Sequence, residues 1–290
     1  MEPFEYTPVN YTFPLEKIPP KSTIVSIGSC FSEDVIGRLF GNGFYGSRNP
    51  NGILYHPFAV CEALQRIDLG YMGSDFFEFN SLYHSWMHHG SFSAPALDDA
   101  LQKAEDARRH FLKALKKADA CFITFSSAVQ YFHKTEKRFV ANCHKVPGTM
   151  FERQLSSTEM CSAAILASCR KVREINPQCR IILTLSPVRH YPGELMLNAL
   201  SKARLLNGIS LAVEKIENCA YFPAFEIQMD ELRDYRYYAD DMLHPNAAAQ
   251  EIILHRLLDS CFTPEAKEVF LAAEKRRRAS AHIPLHGEKK

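Results

Sequence analysis

Two short stretches, Thr23 to Phe40 and Asp241 to Asn246, put chemically capable residue types at places where the chain turns. In the first, Ser29 and Cys30 follow an apolar run and a glycine. A thiol held at a strand-to-helix turn faces unpaired backbone N–H groups and the positive end of the helix dipole, and both favour thiolate. In the second, Asp241 precedes His244 by three residues. That spacing sets carboxylate and imidazole on one side of a turn, where the acid can orient the imidazole as a general base. Each stretch alone also has a plain structural reading. Free cysteine is a common packing residue at such corners, and an isolated Asp-x-x-His can be a capped loop with a surface ion pair.

The elements that must position these groups follow from the local pattern. Ile24, Val25 and Ile27 suit a buried parallel strand. Gly28 permits a sharp turn, and Ser32 is expected to cap a helix with Val35, Ile36 and Leu39 on its inner face. Asn246 is expected to cap a helix over 247–258, with Ile252, Ile253 and Leu257 inward. Between the two stretches, strands are predicted near 43–47, 120–125, 180–185 and 221–226, alternating with helices over 57–67, 98–117 and 201–217 and one that runs to Ile175. Ser156 to Glu159 reads as a capping box. This alternation describes an α/β fold, a three-layer α/β/α sandwich around a mostly parallel five-stranded sheet. Its C-terminal strand edge carries the crevice, and to that edge the 180–185 strand delivers Ser186-Pro187-Val188-Arg189-His190. Arg189 there can meet an anionic substrate group, or simply Asp230 or Glu231.

Gly28-Ser29-Cys30-Phe31 resembles the signature of the GSCFA family, a branch similar to the SGNH (GDSL-like) hydrolases and acyltransferases. The resemblance runs from about residue 10 to 258 through Asn49-Pro50-Asn51-Gly52, Val140 to Lys145, Ser186 to His190 and Met229 to Tyr235. Aligned on Gly28, Cys30 falls on the nucleophilic serine of the superfamily and Ser29 on its aspartate, while Asp241 and His244 fall on the last block. The resemblance therefore implies Cys30 as nucleophile, His244 as base and Asp241 as orienter, with Ser29 in reserve. Gly52 corresponds to the second block, whose N–H helps bind an oxyanion. The third block, Gly-x-Asn-Asp in the superfamily, is replaced by Ser126-Ser127-Ala128; Ser127, Asn142 or His144 are the substitutes. What this implies is an esterase or O-acyltransferase acting on a small, carbohydrate-like acyl ester without a cofactor. A binding module on the same scaffold, or a transferase taking acyl groups from thioesters, are the alternatives.

Other features bound the reading. A net charge of +1 over 290 residues argues against nucleic acid or an acidic membrane as partner, and no apolar run is long enough to span a bilayer. The Met-Glu-Pro-Phe start lacks the pattern of a signal peptide, so a cytoplasmic, reduced protein is expected. The nine cysteines are scattered, without zinc-ligand spacing. Residues 76–92 hold His84, Trp86, His88 and His89 among aromatics, without an ordered metal-ligand pattern; no metal is expected, and the segment is read as a wall of the substrate cleft. Residues 1–22 form an extended lead-in, 23–260 the domain, and 261–290 a basic helical tail that either covers a neighbour or folds back. Oligomeric state is left open.

Overall fold

The computed structural model describes residues 7–190 and 194–281. Its centre is a five-stranded, wholly parallel sheet made of β1 (Thr23–Gly28), β2 (Tyr45–Arg48), β5 (Ala120–Phe125), β9 (Arg180–Leu185) and β10 (Cys219–Phe222). Its order is β10-β9-β5-β1-β2. β1 sends its first connection to one side and its later ones to the other, so strand order reverses between β1 and β5. In open parallel sheets ligands bind at such a switch point, beyond the C-terminal strand ends. Cys30 follows β1 and Ser126 follows β5, so both stand at that crevice.

Side chains alternate across the strands and build two cores. Val25, Ile27, Cys121, Ile123, Phe125, Ile181 and Leu183 pack beneath α2 (Pro57–Gln65), α3 (Leu97–Leu115), α4 (Thr158–Ile175) and α5 (Leu195–Lys215). Ile24, Phe122, Ile182, Ala220 and Phe222 face the opposite layer, α1 (Cys30–Asp34), α7 (Ala247–Cys261) and α8 (Pro264–Ala281). This is the expected three-layer sandwich. Phe262, Ala266 and Phe270 are buried in the second core, so the start of the tail folds back on the domain. The lead-in is stitched to the same place: Ile18 N–H donates to Cys261 O, and Thr263 N–H donates to Ile18 O.

Several boundaries move, three of them with consequences for the site. β10 lies at 219–222 rather than 221–226, because Pro223 has no N–H to give the ladder and turns the chain into α6 (Ala224–Glu226) and a π turn over Ile227–Glu231. α1 starts at Cys30, with Ser29 rather than Ser32 at its N-cap, and gives way to a 3₁₀ turn over Ile36–Leu39. α5 starts at Leu195, before the expected Ser201. The capping positions at Ser157 and Asn246 carry side-chain bonds to Met160 N and Ala249 N.

Two small antiparallel sheets lie outside the sandwich. One is the hairpin β3 (Phe76–Phe79) and β4 (Leu82–Ser85); the other joins β6 (Val129–His133), β7 (Arg138–Val140) and β8 (Phe151–Leu155) in the order β7-β6-β8. Trp86, Val140 and Phe151 form a third core between them. No helix among the described residues is long and apolar enough to cross a membrane.

Candidate active site

Gly28 fixes where the thiol sits. Its φ is +145°, and a Cβ there would lie 2.2 Å from the carbonyl oxygen of Thr124, so only glycine lets β1 end this close to β5. The Gly28 N–H donates to Asn49 Oδ1 at 2.9 Å, and Ser29 N–H donates to Thr124 O at 3.3 Å. The turn so pinned presents Cys30 half-buried while Ser29 is fully buried, its hydroxyl without a hydrogen-bond partner. A reserve nucleophile at Ser29 therefore has no access to substrate in this conformation.

The other half comes from the loop before α7. His244 Nδ1 lies 2.7 Å from Asp241 Oδ2. The ionised carboxylate can only accept, so Nδ1 carries the proton and Nε2 is left as a base. Nε2 faces Cys30 Sγ at 3.8 Å. Asp241 also accepts the N–H groups of Leu243 and His244, at 2.9 and 3.0 Å. These backbone bonds, the His244 N–H first, hold its carboxyl down at about 2. The loop is fixed in turn by Asn246, which donates to Arg236 O and Tyr238 O.

The thiol is not a standing thiolate. Burial raises the Cys30 pKa, Asp34 raises it further, and the N–H groups of Phe31 and Cys30 recover only part. The expected gain from the helix terminus is outweighed because α1 has only five residues and the thiol is largely out of water.

Beside this triad stands a second polar group. Lys202 on α5 is 3% exposed and donates to Ser126 O and Ser186 O, each at 2.7 Å, tying the ends of β5 and β9 together. Burial lowers its pKa to about 7, against an opposing pull from Cys30. His190 lies 2.5 Å from Ser126 Oγ and packs edge-on against Tyr55; burial, helped by Lys202 and His244, keeps it neutral with a pKa of about 3.

A family profile for GSCFA matches residues 23–257. The chain belongs to the GSCFA family. No curated protein matches it. Among solved structures it is similar to an acetyl xylan esterase from the rumen bacterium Butyrivibrio proteoclasticus, at 11% identity and a TM-score of 0.43, over 84% of this chain and 64% of that one. It is also similar to a carbohydrate esterase of family 3 from Talaromyces cellulolyticus, at 8% identity and a TM-score of 0.36, over 88% of this chain and 99% of that one. The chain thus spans less than two thirds of the length of the first. Likeness at this level transfers no chemistry.

Within this GSCFA domain the oxyanion candidates scatter. The Gly52 N–H is spent on Asn49 O at 2.8 Å, closing a turn, which removes it as an oxyanion donor. Its φ of +75° and the 2.4 Å between a would-be Cβ and His89 Cβ explain the glycine instead. Ser127 bonds locally, accepting from Val129 N–H at 3.0 Å. Asn142 accepts from His144 N–H at 2.8 Å, and His144 points into the third core, donating from Nε2 to Ser85 O at 2.7 Å. The β6–β7 hairpin that leads to Asn142 and His144 belongs to a separate small sheet. Trp86 likewise stacks on Phe77 at a centroid distance of 3.8 Å and meets His133, His144 and Phe151; it is a core residue, 7% exposed. Among the described residues no group of three or more His, Cys, Asp or Glu could hold a metal ion. Lys202 was the residue missed. A lysine in an amphipathic helix reads as solvent-facing, and only the adjacent carbonyl ends of two strands turn it inward.

Proposed function

We propose that this GSCFA protein is an acyl-transfer enzyme, an esterase or O-acyltransferase that opens a small acyl ester through Cys30, His244 and Asp241. One observation carries the reading: His244 Nε2 lies 3.8 Å from the Cys30 thiol while Asp241 holds the opposite ring nitrogen at 2.7 Å. With the thiol pKa raised by burial, Sγ attacks the ester carbonyl as Nε2 takes its proton, so general-base help coincides with bond formation. The tetrahedral oxyanion would draw on the Cys30 N–H at the start of α1. Collapse breaks the C–O bond, the His244 imidazolium protonates the leaving alkoxide, and a thioester on Cys30 remains. Water or an alcohol then attacks that thioester, giving its proton to His244, and the thiol leaves with the proton returned.

The test is intact-mass spectrometry after a fluorophosphonate and, separately, iodoacetamide, on wild type, Cys30→Ala and His244→Ala. Stoichiometric labelling at residue 30 that His244→Ala slows strongly supports the reading. A Cys30 no faster than an ordinary thiol, indifferent to His244, would replace it with a binding module.

A further inference from the structure

Every half-buried arginine among the described residues has a carboxylate or a main-chain carbonyl to bond, with one exception. Arg38, Arg66, Arg108, Arg138, Arg180 and Arg256 meet Asp or Glu. Arg173 and Arg204 reach carbonyl oxygens. Arg189 meets neither. Its Nη2 points at the thioether sulfur of Met229 at 3.4 Å, a weak acceptor, and its Nε is buried without a partner. The guanidinium lies over the Tyr238 ring, 5.5 Å from its centroid. That contact uses the face of the cation, so apart from the weak Met229 contact the in-plane N–H groups have no protein acceptor among the described residues.

Of the five acids between residues 230 and 241, Asp240 is exposed and the other four are engaged elsewhere. Asp230 pairs with Arg233 at 2.8 Å, Glu231 with Arg256 and the Val9 N–H, Asp234 with Arg236, and Asp241 with His244. Either acid that the sequence offered as a partner is thus taken. A half-buried cation without a counter-charge is unfavourable unless something else completes it. Its position is also specific. The Arg189 N–H donates to Leu243 O at 3.0 Å, so the residue is docked on the loop that carries the base, and Tyr238 opens that same loop, bridged to Pro245.

We infer that Arg189 forms a subsite for an anionic group, a carboxylate or a phosphate, on the ester that Cys30 opens. This rests on the acyl-transfer reading above for the word ester, and on Arg189 alone for the charge. The guanidinium takes two oxygens of the group side by side, while the scissile carbonyl lies toward Cys30 and His244.

The experiment measures how fast iodoacetamide alkylates Cys30, by mass, in the presence of succinate, inorganic phosphate or neutral succinamide, at matched ionic strength. Succinate or phosphate up to roughly 50 mM, well above the millimolar affinity within reach of a few charge-assisted bonds, is expected to slow wild-type alkylation saturably by about fivefold or more. Succinamide is expected to do nothing. Which anion protects separates carboxylate from phosphate. In Arg189→Met the protection should vanish, and Arg189→Lys should keep a weaker share, since it retains charge but not the fork. Absence of protection by both anions in wild type overturns the inference without any variant, as does equal protection in Arg189→Met. The alkylation assay reads occupancy, not turnover. Failure of the acyl-transfer reading shows separately, as a Cys30 indifferent to His244→Ala.

Discussion

Two regions of this molecule gather histidines, and they treat them in opposite ways. On the loop before α7, His244 is 43% exposed at its side chain, carries a carboxylate on one nitrogen and faces a thiol with the other. In the cluster around Trp86, His144 donates to a carbonyl and its Nδ1 is buried with no partner. His88 there accepts from Asn51 and donates to the Ser85 hydroxyl. Burial drives His144 down to about 4 and His88 to about 3, so both stay neutral. A histidine becomes a base where a carboxylate fixes its tautomer and a reactive proton lies opposite; wrapped in aromatics and bonded to carbonyls, it is a shaped apolar filler with two polar ends.

The sharpest way to break the contrast is Asp241→Asn. The amide oxygen can still accept the Leu243 and His244 N–H groups, so the loop keeps its shape. Its NH₂, however, would face Nδ1 and demand the other tautomer, removing the base from the thiol. The expected loss is roughly a thousandfold or more in acylation rate by single-turnover kinetics, with the melting temperature little changed.

Trp86→Ala should do the reverse. A cavity in the third core is expected to cost about 3–5 kcal/mol in urea unfolding, while the folded fraction keeps its Cys30 alkylation rate. A large rate loss in a stable Trp86→Ala protein would return the residue to the substrate cleft.

Acid reports on the buried histidines wherever they lie, His190 beside the triad included. Unfolded histidine titrates near 6.5, and His56, like His88, is held at about 3 in the fold. The unfolded chain therefore binds more protons than the native one below pH 6.5. Stability is full above that value and is lost as pH falls toward about 4, where His144 also charges. The slope is on the order of 1 kcal/mol per pH unit for each such histidine, readable from urea midpoints between pH 7.5 and 4.5. Asp241 stays ionised throughout, since its pKa is about 2. The smallest effect is expected from Lys202→Met: with a pKa of about 7 the amine is already largely neutral where the Cys30 thiol titrates, so the pH midpoint of Cys30 alkylation should move upward only slightly. An unchanged midpoint in a folded variant would leave Lys202 a tie between strands and nothing more.

What could be read beforehand follows from how local each signal is. β5 and β9 are short, mostly apolar runs, broken only by Thr124 in one and by Arg180 and Thr184 in the other, that end at serines, and their bounds emerge to the residue. The triad residues are marked by type, spacing and the glycine at 28. The failures are long-range. Whether the Gly52 N–H is free depends on Asn49 O, and where Asn142 goes depends on which small sheet claims the hairpin. The inward turn of Lys202 depends on two carbonyls, 76 and 16 residues away in the chain. No periodicity encodes such contacts.

Cys30 and His244 are 214 residues apart, one following the first strand of the sheet and the other following the last. On a ribosome adding about 5–20 residues per second, the thiol emerges roughly 10 to 40 s before its base exists. The growing chain thus presents an unarmed cysteine, and its chemistry is switched on only when the closing segment docks.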